Sequence, residues 1–233
     1  RLNFLFIDKF KNIIVHSKFT KKLILNYYNF IDKNKIIIQN NIISRKSINN
    51  FNSNNFLKNY GINKNSKTIL LMNISNAESR KNFIYLAKII NQIDENIKFI
   101  KIGPTTNNHL ITNKKKIFGF NNISEYNLIK LFKISSVYVD FSEFEGFGRT
   151  TIEAQSYGLP VLCLKTDTNF ETMGKSAIYL NNKNNYEEFI IKLNFLIKNR
   201  KKYKKLSLKN SKVFLPKNQS YYVNNLLKIL WKK

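Results

Sequence analysis

The sequence predicts an α/β fold built on a doubly wound parallel sheet. Short apolar segments alternate with amphipathic ones from residue 68 to residue 164, the pattern of strands joined by helical crossovers. Of the 233 residues, 43% are hydrophobic, ample for a buried core and too many for wholesale disorder. Finally, a strand at 137–141 runs into a glycine-bearing turn that opens a helix, at the sheet edge where such folds bind ligands.

Taken in order, residues 12–16 (NIIVH) read as a short buried strand, followed by an amphipathic helix from Ser17, whose hydroxyl suits an N-cap. Residues 36–39 form a second strand, and the polar, Asn-rich stretch 44–67 reads as a linker with one short helix near 56–60. The longer series opens with a strand at 68–72 and a helix at 82–92 that sets Phe83, Leu86, Ile89 and Ile90 on one side. Strands follow at 99–102 and 117–118, a helix at 125–134 behind Ser124, the strand at 137–141, a helix at 149–157 and a strand at 161–164. Beyond Tyr179 the chain reads as helical, at 186–199, through a basic segment to 209, and at 220–232. Two strands before the linker are too few for a first α/β domain. The expected organisation is a remnant at 1–45, a linker at 46–67, the main domain at 68–215 and a last helix at 216–233. Because the chain opens on Arg1 rather than Met, truncation on its N-terminal side is expected.

The net charge of +26 points first to nucleic acid or an anionic membrane. Its source argues otherwise. The chain holds 35 Lys, 37 Asn and 32 Ile, and Lys, Asn, Ile, Phe and Tyr are the amino acids of A/T-rich codons. Arg, the residue of bidentate base contacts, occurs only at positions 1, 45, 80, 149 and 200. Codon drift is favoured over a selected nucleic-acid partner. The lysines at 114–116 and 201–205 read as solvated surface, with acidic lipid as the sharper alternative. No apolar run reaches the roughly 18 residues of a membrane span. Cys163, the single cysteine, excludes an internal disulfide framework and reads as a buried small hydrophobe in its VLCL strand. His16 and His109 are too far apart in the chain to argue for a metal site.

Chemistry concentrates between residues 137 and 179. Gly146 and Gly148 let the backbone turn sharply and approach a ligand without a Cβ in the way. The helix start at Arg149 offers free N–H groups and a partial positive charge, a seat for phosphate. Glu153 lies one turn on, and its side chain leans back toward that mouth, where a carboxylate accepts bonds from the two vicinal hydroxyls of a ribose. Taken singly, Glu145 reads as a solvated loop residue and Glu153 as a favourable acid early in a helix. Together with the glycine turn they describe a nucleotide-sugar pocket.

At these residues the sequence resembles the C-terminal domain of the retaining GT-B glycosyltransferases of the group 1, family 4-like type. That domain carries a strand, Ser-x-x-Glu-Gly-Phe-Gly, a helix with a second Glu, and Gly-x-Pro-Val. Here stand Ser142, then Glu145, Gly146, Phe147 and Gly148, then Glu153, then Gly158, Pro160 and Val161, with the Glu-x7-Glu spacing kept. Glu171 matches the acid of the following loop, Arg80, Lys81 and Asn82 the family's basic motif, and Glu125 to Leu128 its acidic helix. The likeness runs in register over 68–179, with traces at 14–17 and 36–40.

The resemblance implies a GT-B type fold: one Rossmann-like domain plus the tail end of an N-terminal, acceptor-side Rossmann-like domain. It implies a glycosyltransferase that moves a sugar from a nucleotide-diphosphate-sugar donor to a glycan or lipid-linked acceptor with retention, without a metal or other cofactor. Glu145 would be the catalytic carboxylate on the donor sugar, Lys81 would contact the diphosphate with Arg80 assisting, and Glu153 would bind the ribose. The backbone around Gly146, Phe147, Gly148 and Arg149, with the Thr150 hydroxyl, would face sugar and diphosphate. No Asp-x-Asp tripeptide occurs, in keeping with a metal-free site.

The chain departs from the pattern in reading Met72, Asn73, Ile74 for Val-Gly-Arg, Asn40 and Asn41 for Asn-Gly, and Asp140 where Pro is common. The expected location is cytoplasmic, with peripheral contact at the inner face of an acidic membrane. Two rival readings remain: an inactive or partial fragment of such an enzyme, and a basic nucleic-acid-binding α/β module. Residues 135–180 hold three basic and six acidic residues, so the chemistry-bearing segment escapes the lysine drift around it.

Overall fold

The computed structural model describes residues 7, 9–76, 78–104 and 116–231; His109, Lys114 and Lys115 lie outside them. Near the N-terminus β1 (Ile13–Val15) and β2 (Ile36–Ile38) pair in parallel, joined by α1 (Lys18–Tyr27). Buried Ser17 caps α1, its Oγ accepting the Thr20 N–H at 3.1 Å. The residues around Val15, Ile31 and Ile36 close a small core, while Ile14, Tyr27 and Phe30 are exposed.

The stretch expected to be a linker is packed onto the larger domain. It contains α2 (Ser53–Lys58), and its Phe56, Leu57 and Ile62, with Ile43 before it, are buried in one cluster with Leu70 and Met72. Its apolar side chains are scattered among asparagines, so no periodicity announces the packing.

The main domain runs β3 (Ile69–Ile74), α3 (Phe83–Gln92), β4 (Ile97–Ile102), β5 (Ile117–Phe120), α4 (Glu125–Ile134), β6 (Val137–Asp140), α5 (Arg149–Ser156), β7 (Val161–Leu164), α6 (Asp167–Met173) and β8 (Ala177–Leu180). It is followed by α7 (Tyr186–Lys198), α8 (Arg200–Ser211) and α9 (Pro216–Trp231). The sheet order is β5-β4-β3-β6-β7-β8 and every pairing is parallel. Numbered within the domain this is 3-2-1-4-5-6, the doubly wound dinucleotide-binding order.

Helices cover both faces, which is why β6 and β7 are buried throughout. One face packs Met72, Tyr138 and Cys163 against Ile152 and Leu131; the other packs Leu71, Phe99 and Val139 against Leu86, Ile90, Phe189 and Leu193. Burial pushes the Cys163 thiol well above its usual pKa, as fits a core residue. Among the described residues no helix is long and apolar enough to cross a membrane.

Two elements depart from expectation. Residues 177–180 form edge strand β8 where no element is expected, and α6 replaces a presumed loop. Helix α6 buries Thr168, Asn169 and Thr172, so the polar-in pattern conceals its inward face.

Strands β3 and β6 pair only at Leu71 with Val137 and Met72 with Tyr138. Their carboxyl ends lie at the point where strand order reverses, and the loops that follow them build the site.

Candidate active site

On the β3 side, Asn73 stands where the family pattern has glycine. Its Nδ2 donates to the Val139 carbonyl of β6 (2.7 Å), and its Oδ1 accepts from Ser75 Oγ (2.7 Å). A side-chain bridge thus continues the β3–β6 contact past the last paired residues. The chain then makes a 3-10 turn, Ser79–Lys81, into Asn82, which is left-handed at φ 52° and starts α3. Asn tolerates that region better than most residues. Here it is also tied down: Asn82 Nδ2 donates to the Phe141 carbonyl (2.9 Å), and Oδ1 accepts from Lys183 Nζ (3.2 Å).

On the β6 side, Asp140 is buried beneath the loop and accepts bonds from the Ser142 N–H (3.0 Å), the Ser142 hydroxyl and the Thr151 hydroxyl (3.3 Å). Burial raises its carboxyl above the usual range, against the pull of Ser142. The two loops are laced together: the Glu143 N–H donates to the Arg80 carbonyl (2.9 Å), and Arg80 Nη1 donates to the Phe144 carbonyl (2.6 Å). Over this lacing the Lys81 ammonium forms an ion pair with the Glu145 carboxylate, and Arg80 Nη1 lies 3.4 Å from the same oxygen. Their side chains are only 12% and 14% exposed, so screening by water is limited.

Gly148 takes φ 79°, ψ 44° as the N-cap of α5, and no side chain caps that end, leaving the first N–H groups to the loop mouth. Gly146 differs: its backbone needs no glycine, and a Cβ there would meet nothing within 4 Å. The open space above Gly146 is room for a ligand rather than a demand of the fold.

Helix α6 supports this loop from behind. Thr168 Oγ1 donates to the Glu145 carbonyl (2.7 Å). Asn169 donates through Nδ2 to the Leu164 carbonyl (2.9 Å), which sets its buried Oδ1 toward the Gly148 turn. Glu171 turns the other way and accepts the Lys18 and Phe19 N–H groups at the start of α1, at 2.8 and 3.0 Å. Thr20 Oγ1 reaches the Gly146 carbonyl (3.4 Å), so the N-terminal α/β piece is docked beside the glycine turn.

The structure therefore gathers Arg80, Lys81, Glu145, Gly146 and Gly148 at one crevice. Glu153 accepts instead from Arg149 Nε (3.0 Å), a pair formed one turn apart along α5. Thr150 lies beside the Tyr138 hydroxyl, and the Phe147 ring is buried against Phe214, so only its backbone is available to a ligand. His16 donates through Nδ1 to the Gln39 carbonyl (2.8 Å).

Several residues escaped the sequence reading. Lys183 pairs with Glu143, and Lys101 is wholly buried. Lys101 Nζ donates to the carbonyls of Ser75, Ile102 (2.9 Å) and Gly103 (3.2 Å). Burial, with the Lys81 ammonium nearby, lowers its pKa to about 8. A lysine at the end of an apolar strand was the one available signal.

No curated protein sequence matches the chain. Among solved structures, Staphylococcus aureus TarM in complex with fondaparinux, α-GlcNAc-glycerol and UDP is similar at TM-score 0.75 and 17% identity, over 98% of this chain and 45% of that one. The pneumococcal O-GlcNAc transferase GtfA with UDP and GlcNAc gives 0.69 and 16%, over 97% and 46%. Anabaena HepE with UDP and glucose gives 0.74 and 14%, over 95% and 64%. The chain spans less than two thirds of each of these proteins. Their likeness shows the GT-B type fold that the motifs led one to expect. The sequence model described as "Glycosyl transferases group 1" matches residues 54–213, well over half the chain and the whole crevice, and the chain belongs to that family.

Proposed function

We propose that this chain is the donor-binding half of a metal-independent, retaining glycosyltransferase that uses a nucleotide-diphosphate-sugar. The observation that carries the reading is the Lys81–Glu145 ion pair above the uncapped start of α5, at the switch point of the sheet. On donor binding the diphosphate takes Lys81 and the α5 N–H groups, and the freed Glu145 carboxylate accepts from hydroxyls of the sugar. As the glycosidic bond breaks, negative charge grows on the leaving diphosphate. Lys81, Arg80 and the helix start are already in place to stabilise it. Glu153 holds the ribose hydroxyls, exchanging Arg149 for them, and the α5 backbone from Phe147 to Thr150 lines the sugar and diphosphate.

UDP is the first nucleotide to test, because TarM, GtfA and HepE are solved with it. The acceptor is a glycan or a lipid-linked glycan, taken between this domain and an acceptor-side domain of which 1–45 is a part. Metal independence rests on the cations that replace a divalent ion, and turnover undiminished by a chelator is its test. Titrating UDP, GDP and ADP calorimetrically into the folded chain tests the whole reading; heat with none of them would sink it. Measurable nucleotide binding without donor hydrolysis favours the reading as an inactive or partial fragment.

A further inference from the structure

We infer a second functional surface, on the outer side of α7 and α8, that docks onto an acidic lipid bilayer. Basic charge is densest there along the chain. Residues 189–233 hold 13 basic residues and no acidic one, while the first 188 hold 27 basic and all 14 acidic residues. The other acid-free stretch of this length, residues 33–77, holds only seven basic residues.

The placement of these charges is specific. Helix α7 buries Phe189, Leu193 and Leu196 in the core and presents Ile191, Phe195 and Lys198 on its opposite face, at the i, i+4, i+7 spacing. Ile191 is 68% exposed and Phe195 48%, the Phe195 ring meeting Tyr203 of α8 edge-on. At the α7–α8 corner, Lys198, Arg200, Lys201, Lys202 and Lys204 line a hollow of about 770 Å³. Burial, and then the charge of the Arg200 guanidinium, lower the pKa of Lys64.

Glu187 is also exposed on this face of α7, but the charges of the corner beyond it are all basic. An aliphatic and an aromatic side chain beside such a corner match a bilayer interface, where apolar groups enter the acyl boundary and cations meet anionic headgroups. A nucleic acid offers phosphates but nothing for Ile191. The surface lies apart from the crevice, so docking there leaves Lys81 and Glu145 free to work.

The test is co-sedimentation of the full chain with phosphatidylcholine vesicles, with and without phosphatidylglycerol. Binding is expected only with the anionic lipid. K201E/K202E should weaken it roughly tenfold or more, at roughly fivefold per surface charge. I191S/F195S should weaken it severalfold with the charge unchanged. Both pairs of side chains are exposed, and nucleotide binding should be unaltered in either variant. Equal binding to neutral vesicles, indifference to either variant, or tighter capture by an RNA oligonucleotide than by anionic vesicles would overturn the proposal.

Discussion

Lys81 and Glu145, 64 residues apart in the chain, form an ion pair across the crevice between the β3 and β6 loops. Each is the other's main counter-charge, with Arg80 as third member. This makes the two substitutions asymmetric. Lys81→Met removes a cation from the diphosphate seat and should weaken UDP binding about 10- to 100-fold, the usual range for one charged hydrogen bond. Glu145→Gln releases Lys81, so UDP should bind at least as tightly as to the wild type while sugar transfer collapses. Calorimetry and donor-hydrolysis assays on both variants read the contrast.

The two glycines of the turn should separate stability from binding. Gly148 sits at φ 79°, where an alanine costs about 1–2 kcal/mol even though its Cβ would meet Asn169 Oδ1 only at an ordinary 3.6 Å. Gly146→Ala meets nothing within 4 Å and should melt with the wild type. Its methyl group would intrude on the donor instead. Thermal denaturation beside nucleotide-sugar titration should show Gly148→Ala losing stability and Gly146→Ala losing affinity.

Lys101 gives the fold a pH dependence of definite sign. Unfolded, it keeps its proton up to the ordinary 10.5; folded, it releases it near 8. Between those values the unfolded chain binds more protons, so the stability due to this group rises with pH. The melting temperature of the wild type relative to Lys101→Met should therefore climb from pH 8 to 10.5. A flat or falling difference would show that the ammonium is not held as described.

Glu171 should matter to the join between the two α/β parts rather than to the sheet. Its carboxylate takes the first two N–H groups of α1, and Glu171→Ala should cost about 1 kcal/mol, as the loss of a helix cap does. Proteolysis near residues 18–20 should quicken, while hydrogen exchange in β3 and β6 stays unchanged.

What the sequence made legible follows from which signals are local. The strand, glycine turn and helix at 137–157 could be placed because Gly146, Gly148 and the apolar strand are read within a few residues. Lys81 and Glu145 could be named but not joined, because their meeting depends on the parallel register of β3 and β6. Helix α6 was missed because it buries threonine and asparagine rather than leucine, although Thr166, its N-cap, was in plain view. Asn73 looked like a defect in a known motif. In the fold it is the bridge to Val139 that holds the two strand ends together. The packing of Phe56 and Leu57 was hidden for the opposite reason, since isolated apolar residues in a polar stretch carry no period.

The most direct test of the donor-site reading is calorimetric titration of UDP into the folded wild-type chain and into Lys81→Met. Saturable binding by the wild type, weakened at least about tenfold in the variant, is the expected result. Equal affinity in the two, or no heat from UDP, GDP or ADP with a demonstrably folded wild type, would contradict it.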